Sequence, residues 1–376
     1  MIKILSVFGT RPEAIKMAPL VKALEADSRF DARICVTGQH RQMLDQVLEI
    51  FEITPHFDLN VMEPSQSLNT LTSKIILGME KVFNDFKPDI LLVHGDTTTT
   101  LSASIASFYH QIPIGHVEAG LRTGDLYSPW PEEANRRITG TISSLHFTPT
   151  NSSHSNLIND GVSPDKIFVT GNTVIDALFL AKKNINSNEA LSNEIKNSLC
   201  FINDKKKLIL VTGHRRESFG KGMENLCTAL KKIAIENPSV QIVYPVHMNP
   251  NVIKPVKTLL SEVDNIFLIE PLEYLSFIYL MDKSYIIITD SGGIQEEAPS
   301  LGKPVLVTRD VTERPEAINA GTVKLVGTDT DMIYQSTQDL LHNKDLYESM
   351  SSAHNPYGDG NACSLICNIL GNKNVY

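Results

Sequence analysis

The sequence lacks the features that mark several specialised classes of protein. Five cysteines without a CxxC pair argue for reduced thiols rather than a disulfide framework or a metal site. No apolar run approaches the roughly 20 residues needed to span a bilayer. The formal net charge of −9 argues against a general binder of nucleic acid or anionic membranes, although it leaves room for a local basic pocket. Because the chain runs from Met1 directly into a strand-like segment, we expect no signal peptide and a cytoplasmic protein.

Internal repeats are also lacking, and the chain shows instead a regular alternation of strand-like and helical patterns. Short apolar runs followed by helical patterns indicate parallel β-sheets covered by helices on both faces. The strand candidates are residues 2–8, 32–37, 89–95, 112–117, 145–148 and 166–170, and then 208–213, 241–246, 265–270, 285–290 and 304–308. At 376 residues the chain exceeds the size at which one core usually keeps growing, so two domains are expected.

A polar, Asn- and Lys-rich segment at residues 184–206 predicts a connection between domains there or shortly before it. We therefore expect an α/β protein of two doubly wound Rossmann-like domains with a cleft between them. The first domain is predicted to cover residues 1–172 and the second residues 173–361. The C-terminal segment 362–376 contains an amphipathic helical pattern and is expected to pack back on the first domain.

Two common phosphate-binding fingerprints are missing from the first strand-to-helix turn. It has neither the GxGxxG pattern of dinucleotide folds nor the GxxxxGK pattern of P-loops. It offers instead Arg11 in the turn and Lys16 about one helical turn later. A guanidinium fork and an ammonium point charge both suit an anion. An arginine at a helix start and a solvated lysine are the alternative interpretation.

The second half of the chain carries a more specific pattern. The strand candidate 285–290 is followed by Ser291, Gly292 and Gly293, which open a helix. Two glycines there let backbone N–H groups approach a phosphate, with the helix dipole behind them, and Ser291 can add a hydroxyl. Glu297 suits a ribose, whose two hydroxyls can donate to its carboxylate. The alternative is a helix start that Ser291 simply caps.

Three more residues of the second half fit an anionic nucleotide. His214 directly follows a strand candidate and can donate to a leaving phosphate or satisfy a carbonyl. Arg314 can stabilise the charge of a diphosphate, or pair with Glu313 or Glu316. Phe277 lies at a helical spacing that by itself favours the core over a contact with a base.

Three acidic residues of the first half follow strand candidates or open a helix. Asp96 and Glu118 each follow a strand candidate directly, and Glu132 opens a helical pattern. Because ligands of open α/β sheets bind beyond the carboxyl ends of the strands, these carboxylates are candidates for proton transfer. Alternatively, Asp96 caps the next helix and Glu132 pairs with Arg136 four residues later. Glu118 ends an apolar strand and needs a partner if it is buried.

These groups together point to a nucleoside diphosphate ligand, a nucleotide sugar, and to acid–base chemistry on the sugar. No cofactor fingerprint offers oxidation of the sugar. A C2 proton flanked only by ether and amide carbons is not acidic enough for simple removal and return. Elimination of the diphosphate across C1 and C2, followed by re-addition, overcomes this difficulty. The route needs a base near C2, cations and donors for the departing diphosphate, and a closed site that retains both halves.

Long motifs run through the chain in order, from about residue 2 to about residue 370. They are FGTRPEAIKMAP, VHGDTTTT, GHVEAGLRT, SPWPEEANR, VTGHRRE, YPVHMNP, DSGGIQEEAPSLGKPV, TERPE and NPYGDGNA. In these motifs and their spacing, the chain resembles the bacterial non-hydrolysing UDP-N-acetylglucosamine 2-epimerases.

The resemblance implies the two-domain fold of the B-type glycosyltransferases, with the last helix returning to the first domain. It also implies interconversion of UDP-N-acetylglucosamine and UDP-N-acetylmannosamine by elimination and re-addition, without a cofactor or a metal. The positions that match catalytic or substrate-contacting ones are Arg11, Lys16, Asp96, Glu118, Glu132 and His214. Those that match the UDP site are Leu272, Phe277, Ser291, Gly292, Gly293, Glu297 and Arg314. Which carboxylate removes the C2 proton is left open.

Further implications of the resemblance concern regulation and assembly. Bacterial members can bind a second, activating substrate molecule, and the matching positions are Gln39, Gln42, Gln66, Glu132, Arg215 and His247. Some members have arginine where this chain has Ser65, so the strength of activation is left open. A homodimer is a further family expectation, as is a product that supplies bacterial surface polysaccharides.

Other interpretations are a hydrolysing relative that releases N-acetylmannosamine and UDP, an epimerase for a more heavily modified UDP-sugar, a glycosyltransferase of the same fold, and a nucleotide-sugar sensor. The activator positions argue against the hydrolase. A glycosyltransferase needs an acceptor pocket and does not exchange the C2 proton. A sensor would keep its biological activity after Asp96, Glu118 or His214 is changed.

Overall fold

The chain divides into two units, each built around one parallel β-sheet. The computed structural model describes residues 1–38, 41–63 and 65–372. One unit is Met1–Leu180 together with the chain from Tyr357 onward, and the other is Ala181–Pro356.

The sheet of the first unit is wound in both directions from its centre. Its strands are β1 (Ile2–Phe8), β2 (Phe30–Val36), β3 (Phe57–Asp58), β4 (Ile90–His94), β5 (Ile114–Val117), β6 (Leu145–Thr148) and β7 (Ile167–Val169). Within the described residues all of them pair in parallel, in the order β3-β2-β1-β4-β5-β6-β7. The direction of winding changes between β1 and β4, which makes the loops after these two strands the expected ligand-binding position.

The sheet of the second unit repeats this plan. Its strands are β8 (Lys207–Thr212), β9 (Val240–Pro245), β10 (Ile266–Ile269), β11 (Ile286–Thr289), β12 (Val305–Val307) and β13 (Val323–Leu325). They are parallel and follow the order β10-β9-β8-β11-β12-β13 in the part of the chain that the structure describes. Here the winding changes between β8 and β11.

Helices connect the strands and cover the sheets. The α-helices are α1 (Arg11–Glu25), α2 (Arg41–Ile50), α3 (Leu68–Phe86), α4 (Thr98–Tyr109), α5 (Glu132–Ile142), α6 (Asn151–Asn159), α7 (Thr173–Ser187), α8 (Glu189–Ser198), α9 (Lys221–Glu236), α10 (Pro250–Leu260), α11 (Tyr274–Lys283), α12 (Gly292–Glu297), α13 (Pro315–Asn319), α14 (Thr330–His342), α15 (Lys344–Ser351) and α16 (Ala362–Leu370). Short 3₁₀ helices occupy Pro164–Lys166, Arg216–Ser218 and Ala298–Leu301. No helix among the described residues is long and apolar enough to cross a membrane.

The central strands explain the apolar runs of the sequence. In β4, Ile90, Leu91, Leu92 and Val93 are completely buried, as expected for a parallel strand that is covered on both faces. In the second unit the three isoleucines at the start of β11 are buried in the same way. The predicted α/β class is therefore confirmed, and the predicted strands agree with the observed ones to within two residues at each end.

The end of the chain belongs to the first unit. Helix α16 packs against α1, and the backbone N–H of Cys363 donates to Asp176 Oδ1 at 2.9 Å. The division between the units falls within α7, shortly before the polar segment 184–206, and that segment is largely helical.

Candidate active site

A buried carboxylate, Glu13, fixes the turn between β1 and α1. The backbone N–H groups of Thr10 and Gly9 donate to Glu13 Oε2 at 2.8 and 3.1 Å, and Thr10 Oγ1 accepts from Glu13 N in return. Glu13 Oε1 accepts from the hydroxyls of Thr97 at 2.7 Å and Thr100 at 3.2 Å. Glu13 therefore caps α1 and at the same time connects the loop after β1 to the start of α4. These two segments follow the strands between which the direction of winding changes.

The two cations of the first turn lie on α1. Arg11 is the first residue of the helix and is half-buried. Lys16 Nζ donates to Glu118 Oε1 at 2.6 Å, and its side chain is only 17% exposed. The alternative of a solvated lysine is therefore wrong, because Lys16 is engaged with a candidate catalytic carboxylate.

Glu118 is the most constrained of the three candidate carboxylates. It directly follows β5 with a φ of 61°, in the left-handed region that non-glycine residues seldom adopt. Two more side chains contact Glu118 besides Lys16. His94 Nε2 lies 3.0 Å from Glu118 Oε2, without the alignment of a hydrogen bond. Asn172 Nδ2 donates to Glu118 Oε1 at 3.3 Å. Burial alone raises the pKa of Glu118, but the charges of Lys16 and then of His94 outweigh it and hold that pKa well below its usual range. The carboxylate is thus ionised at neutral pH.

Asp96 lies beside Glu118 at the end of the neighbouring strand. Gly95 separates Asp96 from β4, and a Cβ added at Gly95 would lie 3.7 Å from Glu118 Oε2. Asp96 Oδ2 accepts from Arg136 Nη2 at 2.5 Å and from Arg136 Nε at 3.0 Å. The interpretation of Asp96 as a helix cap is wrong, because Thr97 caps α4 through a bond from Thr100 N.

Helix α5 brings a second buried carboxylate to this network. Glu132 opens the helix and is half-buried, whereas Glu133 is completely buried. Arg136 Nη1 donates to Glu133 Oε2 at 3.2 Å while the same guanidinium holds Asp96. The expected pairing of Glu132 with Arg136 is therefore not found among the described residues. Arg136 links α5 to the loop after β4 instead.

The second unit has a comparable arrangement after β8 and β11. The backbone N–H groups of His214 and Arg215 donate to Asp290 Oδ2 at 2.7 and 2.8 Å, and His214 Nδ1 lies 3.2 Å from Asp290 Oδ1. The His214 ring stacks on that of His247, with ring centres 5.5 Å apart. Burial raises the pKa of Asp290, but the His214 side chain and the two backbone donors outweigh it and lower that pKa.

The start of α12 is open in the way that a phosphate site requires. Ser291 precedes the helix, yet its hydroxyl makes no capping bond, so the alternative of a simple serine cap is wrong. A Cβ added at Gly292 would lie 3.7 Å from Arg314 Cζ, and one added at Gly293 would lie 3.9 Å from Glu297 Oε2. Arg314 and Glu297 thus flank the two glycines, although Glu297 is the last residue of α12 rather than part of its first turn.

Arg314 has one expected and one unexpected partner, whereas Phe277 lies outside the core. Arg314 Nε pairs with Glu296 Oε1 at 2.5 Å and Arg314 Nη1 lies 3.6 Å from Glu313 Oε2. Glu296 was not among the expected partners. Phe277 is only half-buried on α11, so the core position that its spacing favours is wrong. Leu272 lies just before this helix and is also half-buried.

The predicted activator positions are spread over several elements. Gln39 lies outside the described residues. Gln42 is exposed on α2, and Gln66 and Ser65 precede the capped start of α3. Arg215 and His247 lie in the second unit beside His214, in the contacts given above.

Sequence reasoning missed four residues of these networks, which are Glu13, His94, Arg136 and Asp290. Only Glu13 has a local signal, because TRPE fits a capping box. The others act on residues that lie 24, 40 and 76 positions away. Among the described residues, no group of three or more His, Cys, Asp or Glu side chains has the arrangement of a metal site.

Comparison with known proteins gives a family. The family model described as UDP-N-acetylglucosamine 2-epimerase matches residues 22–371. A curated UDP-N-acetylglucosamine 2-epimerase of Salmonella typhimurium is 58% identical over 373 residues, which are 99% of each chain. One of Campylobacter jejuni is 60% identical over 371 residues, covering 98% of this chain and 97% of the relative. The crystal structure of UDP-GlcNAc 2-epimerase from Neisseria meningitidis bound to UDP-GlcNAc is 54% identical and superposes with a TM-score of 0.88, over 98% of this chain and 99% of that one.

Proposed function

The chain belongs to the UDP-N-acetylglucosamine 2-epimerase family, and we propose that it is an isomerase that interconverts UDP-N-acetylglucosamine and UDP-N-acetylmannosamine. The two sugars differ only in configuration at C2, so the enzyme must remove the C2 proton from one face of the ring and deliver a proton to the other face. The observation that carries the proposal is the pair of carboxylates at adjacent strand ends, Asp96 and Glu118, each held by its own cation.

The reaction we propose is elimination followed by re-addition. A base takes the C2 proton while the C1–O bond breaks, and the electron pair leaves with UDP, giving a 2-acetamidoglucal. UDP then attacks C1 again while a proton is delivered to C2 from the opposite face. Substrate and product are isomers, and elimination followed by re-addition involves no net oxidation or reduction, so the reaction needs no redox cofactor.

We assign the proton transfers to the carboxylates of the first unit. Glu118 is kept ionised by Lys16 and His94, which supports a role as proton acceptor, and Asp96 is oriented by Arg136. Glu132, the half-buried first residue of α5, is the third candidate. The three act as a group, and the base for each direction stays open among them.

We assign UDP to the second unit, together with the cations of α1. The uncapped start of α12 offers N–H groups of Gly292 and Gly293 to the diphosphate, and the Ser291 hydroxyl adds a donor. Glu297 suits the ribose hydroxyls. The remaining proposed contacts are Arg314, His214, Arg11 and Lys16 for the diphosphate, and Leu272 and Phe277 for the base.

The non-hydrolysing course is also part of the proposal. It is tested by incubating the purified protein with UDP-N-acetylglucosamine and separating the nucleotides and sugars by anion-exchange chromatography. We expect UDP-N-acetylmannosamine to accumulate while free UDP stays minor. Stoichiometric UDP and free N-acetylmannosamine would instead identify a hydrolysing enzyme. Transfer of the sugar to an added acceptor, with no epimer formed, would identify a glycosyltransferase.

Regulation by a second substrate molecule is proposed on the positions Gln39, Gln42, Gln66, Glu132, Arg215 and His247. The stacking of His247 on His214 supports it, because a ligand that touches His247 then acts directly on a proposed active-site residue. The test is the dependence of velocity on UDP-N-acetylglucosamine. A sigmoidal curve that becomes hyperbolic in His247→Asn is expected, and a hyperbolic wild-type curve would reject activation. We further propose a cytoplasmic homodimer whose product supplies bacterial surface polysaccharides.

A further inference from the structure

A surface cavity of about 510 Å³ lies in the first unit and shares no lining residue with the proposed substrate or activator positions. Residues of the loop after β5, of α5, of β6 and of the connection from α6 to β7 line it. Its volume falls within the range of roughly 300–1,000 Å³ that is usual for small-molecule sites. The cavity therefore has room for a ligand, and the chemistry of its walls indicates which kind.

The walls of the cavity are positively charged in a chain that is acidic as a whole. Arg122, Arg137 and Lys166 line it, and Asp160 is its one carboxylate among the described residues, which leaves an excess of two positive charges. The formal charge of the whole chain is −9. This local reversal favours an anionic ligand.

Asp160 occupies the position that such an anion would take. Arg122 Nε donates to Asp160 Oδ2 at 2.7 Å, and Arg137 Nη2 lies 3.5 Å from Asp160 Oδ1. The absence of a side chain at Gly140 makes room for this arrangement, because a Cβ there would lie 3.3 Å from Arg122 Nη2. Two guanidinium groups thus converge on the oxygens of one carboxylate, as they do on the oxygens of a phosphate.

A buried imidazole belongs to the same wall. His146 lies on β6 and is 1% exposed, and its Nδ1 has no partner among the described residues. Burial, and then the charges of Arg122 and Lys166, lower the pKa of His146 to about 4, so the ring is neutral at physiological pH. Nδ1 is also shielded from solvent, so a ligand in the cavity does not reach it, and the neutral ring adds no charge to that of the three cations.

We propose that this cavity binds a small phosphorylated anion, such as a phosphate monoester or a diphosphate without an aromatic base. Arg122, Arg137 and Lys166 hold its charge, and the neutral ring of His146 forms part of the wall. No Phe, Tyr or Trp in the described part of the chain lines the cavity, so it lacks the stacking surface that a nucleobase requires. Asp160 competes with the ligand for the two arginines and thereby limits its affinity.

The proposal is tested by isothermal titration of the full-length protein with pyrophosphate and with glucose 6-phosphate, while UDP is kept saturating to fill the nucleotide site. Ionic strength is held constant, and glucose serves as the neutral probe. We expect one molecule of a phosphorylated probe per chain and no binding of glucose. Absence of any binding beyond UDP would overturn the proposal.

Variants of the cavity are expected to change the affinity for the anion in opposite directions, which distinguishes binding in this cavity from a general attraction of anions to the protein. Lys166→Gln and Arg137→Gln are expected to weaken binding about tenfold each, since each removes one charged partner. Asp160→Asn is expected to strengthen it several-fold, because the competing carboxylate loses its charge. Lys344→Gln removes the charge of an exposed lysine in the second unit. It is the matched control and should leave the affinity for the anion unchanged. Equal affinities in all four variants and the wild type would contradict the assignment of the ligand to this cavity.

Discussion

Lys16 Nζ lies 2.6 Å from Glu118 Oε1, and this ion pair joins the first helix of the chain to the end of β5. Both side chains are largely buried, at 17% and 8% exposure. The pair accounts for the depressed pKa of Glu118, because the charge of Lys16 outweighs the effect of burial on the carboxylate. We propose that Lys16 also contacts the substrate diphosphate. In the complex, the positive charge of Lys16 is then shared between the diphosphate and the Glu118 carboxylate.

Removing the charge of Lys16 should therefore destabilise the first unit and change its response to acid. Because the folded-state pKa of Glu118 lies below its ordinary value of 4.5, its ionised form stabilises the protein above that value, and this stability is lost as pH falls through the folded pKa. In Lys16→Met the lysine no longer offsets the burial of the Glu118 carboxylate, so the pKa of Glu118 rises. The loss of stability on acidification therefore begins at a higher pH. We expect roughly 3 kcal/mol lower stability at neutral pH, measured by thermal unfolding between pH 3 and 8.

The double variant Lys16→Met with Glu118→Gln is the control for this prediction. It removes both charges, so most of the lost stability should return and the extra acid sensitivity should vanish. An unchanged melting temperature in the single variant at neutral pH would show that the ion pair contributes nothing to the fold.

Asp96→Asn and Glu118→Gln should lower turnover by a factor of roughly 10²–10⁴, the usual contribution of a proton-transferring side chain. Both replacements keep the size of the side chain and remove its capacity to accept a proton. Affinity for UDP, measured by titration calorimetry, should survive because we assign UDP to other residues. Asp27→Asn is the matched control, since Asp27 pairs with Arg29 on the exposed surface. Near-normal turnover in either active-site variant would reject its catalytic role.

Glu133 is predicted to position Asp96 through Arg136 without touching the substrate. It is completely buried, and the guanidinium of Arg136 spans both carboxylates. In Glu133→Gln the arginine keeps only one charged partner, so we expect kcat to fall about tenfold, or about 1.4 kcal/mol, with little change in KM. Arg136→Lys should behave similarly, because an ammonium cannot replace the fork. A parallel loss of UDP affinity would point to a general structural defect instead.

The two glycines that open α12 are predicted to serve binding rather than folding. At Gly293 an added Cβ makes only an ordinary contact of 3.9 Å, so Gly293→Ala should leave the melting temperature unchanged or raise stability by up to about 1 kcal/mol. The same methyl group hinders the approach of a phosphate, so UDP affinity should fall about tenfold. Gly115→Ala is the contrasting control, since its Cβ would meet Leu92 Cδ2 at 2.6 Å and should destabilise β5. Unchanged UDP binding in Gly293→Ala would remove this glycine from the site.

The regular elements were predictable because buried parallel strands leave long apolar runs. Strands β3 and β13 were missed, because β3 has only two residues and the exposed Lys324 interrupts the short apolar run of β13. Arg11 was placed in the turn before the first helix, whereas it is the first residue of α1, because the capping box of Thr10 and Glu13 sets the start of the helix.

The candidate site was predictable where residues follow strand ends, and not where pairing depends on the order of strands in the sheet. Glu118 was expected to need a partner, and the structure provides Lys16 and His94. The sequence alone did not indicate these partners, because they are found only when β4 and β5 are known to be neighbours. Local spacing offered Glu132 as an alternative partner of Arg136, whereas the structure pairs Arg136 with Asp96 of the loop after β4 and with Glu133 of its own helix.

The measurement that tests elimination at C2 most directly is proton exchange with solvent. The protein is incubated with UDP-N-acetylglucosamine in heavy water, and both nucleotide sugars are examined by proton NMR and mass spectrometry. Our account predicts deuterium at C2 of both epimers, with free UDP a minor species throughout. Conversion between the epimers with the original C2 hydrogen fully retained would contradict it.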